Sequence, residues 1–437
     1  MERLERWQAR IETAARSRIE GRITEATGLT VKARLPAVEL GELVDVYGSR
    51  GAVTRAEVVA FRGDETVLMP LAEMSGIGPR SRVVATREHL RVRCDESLRG
   101  RVLDGLGEPI DGQGPLRGEL YDVEAAPPTP LSRVAIVRRF RTGIRAIDGL
   151  CALGEGQRVG LFAPAGVGKS TIIAQLARTS DAETTVICLL GERGREIRGF
   201  IDENLGPEGL ARSVVVCSPS NASPLVRIKC AYVATTIAEY FRDRGQRVLL
   251  LVDSLTRFAR AQRELGLAVG EPPSRQGFPP SVFRLMPQLL ERAGTGPTGS
   301  ITAIYSVLVS GELRDDPVGE EIKAIVDGHI VLSEALAQRS HWPAIDVLQS
   351  VSRLMTRVSA PPICATAARW REWIAAYEER RDLIALGMYQ PGSDRRTDEA
   401  LRRLDAIESF LRQAPDLSSP IEETERRLAE VADGRRP

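Results

Sequence analysis

The chain has 437 residues, too long for one ordinary core and long enough for two or three domains. Its 60 basic residues stand against 59 acidic ones, a formal charge of +1, which removes the electrostatic argument for bulk nucleic-acid binding that a strongly basic domain supplies. The six cysteines, Cys94, Cys151, Cys188, Cys217, Cys230 and Cys364, show no CxxC spacing, and Cys188 and Cys217 lie in apolar runs, so they read as reduced core thiols of a cytosolic protein rather than as a zinc site.

Residues 1–18 place Leu4, Trp7 and Ile11 at helical spacing among Arg and Glu, which predicts a short amphipathic helix. They hold no apolar signal-peptide core, and no run of about 18 apolar residues follows, so neither secretion through a signal peptide nor a membrane span is expected. From Gly21 to about Arg93 come short alternating runs such as "GELVDVYG" and "AEVVAFRGDETVLMPL", separated by Gly, Pro and Asp, which predict a small all-β barrel or sandwich. The Gly- and Pro-rich stretch 103–133 reads as an extended connector. Beyond it, apolar strands ("QRVGLFAP", "TTVICLLG", "SVVVCSPS", "RVLLLVD", "SITAIYSVLV", "GHIVLS") alternate with helices, the pattern of a parallel sheet covered on both faces. From about Cys364 the chain turns helical, with Trp370, Trp373, Ile374 and Tyr377, then Leu401, Leu404, Ile407 and Leu411, at 3/4 spacing.

One junction carries specific chemistry. "GQRVGLF" reads as a strand, "APAGVGKS" as a loop and "TIIAQLAR" as a helix, the setting a phosphate-binding loop requires. Gly166 and Gly168 let backbone N–H groups turn inward, the helix presents its positive end, Lys169 reaches terminal phosphates and Ser170 can ligate Mg²⁺. The first glycine of the pattern is Ala163, which costs little if its torsions are ordinary. Asp253 ends the strand "RVLLLVDS", beside that loop, where a carboxylate can hold a Mg²⁺ shell. Glu192 follows another buried strand and could accept a proton from an attacking water; pairing with Arg193, Arg195 or Arg198 on the surface is the alternative.

Taken in order, "FAPAGVGKST", "GERGREI", "AEYFRDRGQRVLLLVDSLTRFARAQRE", "GEPPSRQGFPPSVF", "DGHIVLS" and "HWPAIDVLQSVSR" resemble the rotary-type ATPases, whose relatives include the ATP synthase β subunit and the flagellar export ATPase. The likeness is closest to the ATPase of bacterial type III secretion systems, and it spans about residues 19–415. Together with the patterns above it implies an α/β fold: a RecA-like P-loop core with a mainly parallel sheet (94–363), preceded by a small N-terminal β-barrel (19–93) and followed by a C-terminal α-helical domain (364–437). Carried over by position, Ala165, Gly166, Val167, Gly168, Lys169, Ser170 and Thr171 would cradle ATP, with Ser170 and Asp253 toward Mg²⁺. Glu192 would be the catalytic base with Arg193 close by, Arg257 a phosphate-side arginine, and Arg353 of "SVSR" an arginine finger reaching a neighbour's site. Trp342 stands where the family carries an aromatic residue against adenine, usually tyrosine.

The resemblance also implies a homohexamer, since base and finger sit on one polypeptide, working in the cytoplasm at the inner membrane face. Expected partners are a central stalk protein, a regulatory or peripheral stator protein, chaperone–effector complexes and the export apparatus. The Gly- and Pro-rich stretch 266–281, with Arg275, reads as a loop and by resemblance faces the ring's central hole. Flagellar export is the alternative role. A nucleic-acid translocase, the rival from another class, would need exposed aromatic and basic residues on its β domain, and between residues 21 and 92 only Tyr47 and Phe61 are aromatic.

Overall fold

The computed structural model describes residues 18–49, 51–309 and 316–434. The amphipathic helix expected over 1–18 therefore lies, apart from Arg18, outside the described residues.

Strands β1 (Glu20–Thr27), β2 (Thr30–Arg34), β3 (Leu43–Tyr47), β4 (Val53–Arg62), β5 (Glu65–Pro70) and β6 (Arg82–Ala85) close into a barrel in the order β1-β2-β5-β4-β3-β6. Alternation explains the closure: Val31 and Ala33 on β2, Val44 and Val46 on β3, and Leu68 on β5 point into one core, while the residues between them face outward. Joining β1 to β6 leaves no open edge to be protected.

The stretch expected as a plain connector is more structured. β7 (Arg91–Cys94) pairs antiparallel with β9 (Glu119–Asp122), and between them β8 (Val102–Asp104) enters the main sheet beside the strand Ser213–Pro219. Asp111 organises this stretch, accepting two bonds from Arg101 (2.7 and 3.0 Å) and one from the Val102 N–H. Burial opposes its charge, yet these bonds win and hold the carboxyl at about 2.

After the two-stranded pair β10 (Arg139–Phe140) and β11 (Leu153–Gly154), the chain builds its central sheet. Its strands are β12 (Arg158–Ala163), β13 (Thr184–Glu192), β14 (Ser213–Pro219), β15 (Arg247–Asp253), β16 (Gly294–Thr295), β17 (Ser300–Leu308), β18 (Gly328–Leu332) and β19 (Ile345–Ser352). The order is β19-β18-β12-β17-β15-β13-β14-β8, with β16 paired onto β17, and every neighbour pair is parallel except β18–β19 and β16–β17. Successive residues of β13 serve opposite faces. Val186, Cys188 and Leu190 meet helices α2 (Pro224–Asp243), α3 (Leu255–Ala268) and α4 (Pro280–Leu290), whereas Ile187 and Leu189 join the core that contains α1 (Lys169–Thr179). All six cysteines are free, and all but Cys364 are buried.

Helices α5 (Pro361–Ala385), α6 (Arg395–Leu411) and α7 (Ile421–Ala432) pack on that second core. Trp370 is their pivot: its ring meets Phe410 edge-on at 4.9 Å and its indole N–H donates to the Leu428 carbonyl at 3.1 Å. Among the described residues no helix is long and apolar enough to cross a membrane.

The barrel is fastened to the central domain at α2. Leu43, Met69 and Leu71 pack on Leu225 and Val226, and beside them the buried Lys229 ammonium bridges Glu57 (2.7 Å) and Glu124 (2.5 Å). Removing one partner of a buried ion pair typically costs about 3–5 kcal/mol, because the other charge stays behind unpaired. Lys229→Met should therefore lower stability by about that amount in denaturant unfolding, and Lys229→Met/Glu57→Gln should recover part of it. Equal losses in both variants would mean that Lys229 acts through packing alone.

Candidate functional site

In a parallel sheet all carboxyl ends lie at one edge, and loops leaving that edge converge. Here β12 ends at Ala163, a buried residue with ordinary strand pairing to Leu308, so the position where the loop pattern has glycine accepts an L-residue. Gly166 and Gly168 have φ of 80° and 81°, the left-handed region that favours glycine. A Cβ on Gly168 would also come within 2.9 Å of the Trp342 ring. Val167 is buried and anchors the loop, while Ala165, Gly166 and Ser170 stay exposed. Helix α1 starts at Lys169, so Ser170 and Thr171 occupy its first turn and its free N–H groups face the loop.

The neighbouring strand ends supply the charges. Lys169 pairs with the Asp253 carboxylate at the end of β15, and the same carboxylate accepts from the Ser306 hydroxyl at 2.7 Å. Glu192, at the end of β13, is partly buried and bound by the Arg257 guanidinium at 2.9 Å; a second Arg257 nitrogen donates to the Gly191 carbonyl. Its partner is thus Arg257 of α3, not one of the arginines that follow it in sequence. Burial, then the nearby Asp253 charge, raises the Glu192 carboxyl to about 7 against the pull of Arg257. Arg193 turns to Glu196 at 3.2 Å and is largely exposed.

A cavity of about 640 Å³ opens beside the loop, lined by Gly166, Gly168 and Thr171 together with Trp342 and Ala414. The C-terminal segment that forms this wall was not singled out from sequence. Gln413 ties it down: its backbone N–H donates to the Trp342 carbonyl at 2.9 Å, its side-chain amide donates to the Gly143 carbonyl at 2.7 Å, and its side-chain oxygen accepts from the Arg145 N–H at 2.9 Å. A glutamine in the loop after Leu411 gives no sequence signal of such a role.

Arg353 is elsewhere. It follows Ser352, which pairs with Gly328, and its N–H donates to the Asp327 carbonyl at 3.0 Å, level with Arg158 at the start of β12. Five residues of β12 separate that level from Ala163, about 17 Å at roughly 3.3 Å per residue. Its side chain is exposed and has no hydrogen-bond or ion-pair partner among the described residues.

The donor set suits a nucleotide with a divalent cation. A buried carboxylate, an exposed hydroxyl at a helix start and a lysine stand together, and the Ser254 hydroxyl next to Asp253 is buried without a hydrogen-bond partner among the described residues. Ser170 and Asp253 would hold the ion, whose chemistry is to neutralise charge on phosphate oxygens.

Known proteins match along the whole fold. Residues 23–87 fit the β-barrel domain and 143–352 the nucleotide-binding domain of the ATP synthase alpha/beta family, and 361–430 fit the T3SS EscN ATPase C-terminal domain. A type 3 secretion system ATPase of Xanthomonas euvesicatoria is 49% identical over 97% of this chain and 96% of its own. A flagellum-specific ATP synthase of Bacillus subtilis is 45% identical over 92% and 93%. The assembled ATPase EscN of the enteropathogenic E. coli type III secretion system superposes with a TM-score of 0.88 at 41% identity, covering 94% of this chain and 99% of that one. EscN has also been solved in complex with its central stalk EscO, with a TM-score of 0.87 at the same identity and coverage.

If Glu192 accepts a proton, it works only when ionised, and a carboxyl raised to about 7 is increasingly protonated below that pH. The kcat/KM for ATP should fall about tenfold per pH unit below about 7 and level off above it. Glu192→Gln should bind nucleotide normally and lose turnover; an unchanged pH profile with collapsed nucleotide affinity would assign Glu192 to structure instead.

Proposed function

We propose how the site is completed in a chain that belongs to the type III secretion ATPase family: a ring of six identical copies hydrolyses ATP at the interfaces between them and thereby powers protein unfolding, chaperone release and export. The single observation that carries the ring reading is Arg353, about 17 Å from its own phosphate loop along β12 at roughly 3.3 Å per residue. An arginine so placed stabilises phosphoryl charge only in another copy's site.

Within one site, the N–H groups of Ala165 to Thr171 and the Lys169 ammonium bind the phosphates, and Ser170 and Asp253 hold Mg²⁺. Trp342, whose ring lies against Gly168 at the cavity wall, stacks on adenine. Glu192 takes a proton from the attacking water. Arg257 holds Glu192 in place through the 2.9 Å bond, and the exposed Arg193 exchanges its Glu196 partner to turn toward the interface. Between helices α3 and α4 the chain from Val269 to Pro279 forms a loop, with Arg275 exposed and 3.8 Å from Glu321. This loop faces the central hole and meets a stalk protein, as the EscN complex with EscO suggests by likeness. A stator protein, chaperone–effector complexes and the export apparatus at the cytoplasmic face of the inner membrane complete the partners. The C-terminal match to the T3SS EscN domain favours secretion over flagellar export.

Arg353→Ala should bind ATP normally yet lose turnover by roughly 10³-fold or more. Mixed with Lys169→Ala chains it should regain part of that activity, because an interface with the phosphate site of the first and the arginine of the second is whole. No rescue in rings shown to contain both variants would place Arg353 outside its neighbour's chemistry.

A further inference from the structure

The cavity beside the phosphate loop is closed by chain that lies some 240 residues further on, so something must fix that wall against the loop. Trp342 lines the cavity and is 41% exposed, which leaves its ring to be covered by whatever enters. Beside it the loop between α6 and α7 lines the same cavity through Arg412, Gln413, Ala414 and Pro415.

Gln413 is the centre of this anchorage. It is 5% exposed, and its side chain is used three times: Oε1 accepts from the Arg145 N–H at 2.9 Å, and Nε2 donates to the carbonyls of Gly143 at 2.7 Å and Leu417 at 2.8 Å. Its own N–H holds the Trp342 carbonyl at 2.9 Å. The partners decide which way the amide points, because a reversed amide would set its oxygen against two carbonyl oxygens and its nitrogen against an N–H.

The same loop is tied to the helix that carries the phosphate loop. From α1, Gln175 donates to the Leu417 carbonyl at 3.2 Å and Arg178 to the Pro415 carbonyl at 2.8 Å. On the other side the buried Arg145 guanidinium donates to the carbonyls of Phe410 and Arg412, where a cation also meets the negative end of α6. The Trp342 ring, in turn, lies against Gly168. Wall and phosphate loop are therefore one framework.

We propose that Gln413 is a positioning residue for the nucleobase: by holding Trp342 and the loop after α6 at a set distance from the phosphate loop, it governs the fit of the base and not the grip on the phosphates. The proposal rests on the reading of Trp342 as the residue that stacks on adenine. A wall displaced by about 1 Å loses the stacking geometry, while Lys169 and the loop N–H groups still hold the phosphates.

The test compares ATP with inorganic triphosphate, which carries the phosphates and no base, on the full chain. Gln413→Ala should weaken ATP binding about tenfold, the upper scale of one aromatic stack, and leave triphosphate affinity within about twofold of the parent. The loss should fall on KM rather than on kcat. Arg178→Ala removes one tether and leaves the buried amide in place; it should weaken ATP alone, to a smaller degree, and it carries the test if Gln413→Ala does not fold. Added to Trp342→Ala, Gln413→Ala should cost little more, because both act on one contact. Equal weakening of ATP and triphosphate, or full additivity with Trp342→Ala, would overturn the proposal. Trp342→Ala also separates it from the reading it rests on. Parent-like ATP affinity in that variant would remove the stacking reading and the proposal with it, whereas weakened ATP there, with parent-like ATP in Gln413→Ala, would overturn the proposal alone.

Discussion

The pair between Lys169 and Asp253 is the contact around which the site is arranged. Both groups are mostly buried, and a buried charge without a partner is expensive. Their pairing holds the phosphate loop of β12 against the end of β15, although β17 lies between those two strands in the sheet. That middle strand contributes Ser306, which satisfies the same carboxylate. The Lys169 ammonium and the Asp253 carboxylate are thereby aimed at one small volume, where phosphate oxygens and a divalent cation can exchange partners with them.

Sheet polarity decides what can join that volume. Glu192 and Asp253 end adjacent parallel strands, with Leu189 opposite Asp253, so the Asp253 charge adds to burial, the larger cause, in lifting the Glu192 carboxyl. Arg353 follows the one long strand that runs the other way, and antiparallel β19 delivers it to the far edge. The same polarity that brings Glu192, Lys169 and Asp253 to one end of the sheet therefore removes Arg353 from them. On the proposed reading, a site that uses Arg353 needs two copies of the chain.

Much of this was legible in the sequence where the cause is local. Two glycines at positive φ before a lysine, and a helix that begins at that lysine, are short-range facts, and strands that end in Asp253 or Glu192 announce themselves by their apolar runs. Partners brought by packing were not legible. Arg257 reaches Glu192 from a helix 65 residues on, and Gln413 reaches Gly143 across 270 residues. The stretch 103–133 read as a connector because Gly107, with φ of 89°, and Gly112 and Gly114 mark turns, while the three-residue strand Val102–Asp104 is too short to show a period. What makes it a strand is its parallel pairing with Val215–Cys217 of β14, a contact from more than a hundred residues away, while Asp111 folds the following chain back against it.

If each site is completed by a neighbour, hydrolysis depends on encounter. The most direct measurement is ATPase activity per chain against protein concentration, across the range in which sedimentation reports the passage from monomer to ring, with and without single-stranded RNA. Activity per chain should climb steeply with assembly, reach a plateau, and be indifferent to RNA. A flat activity per chain, with monomers turning over as fast as rings, would contradict a site divided between copies.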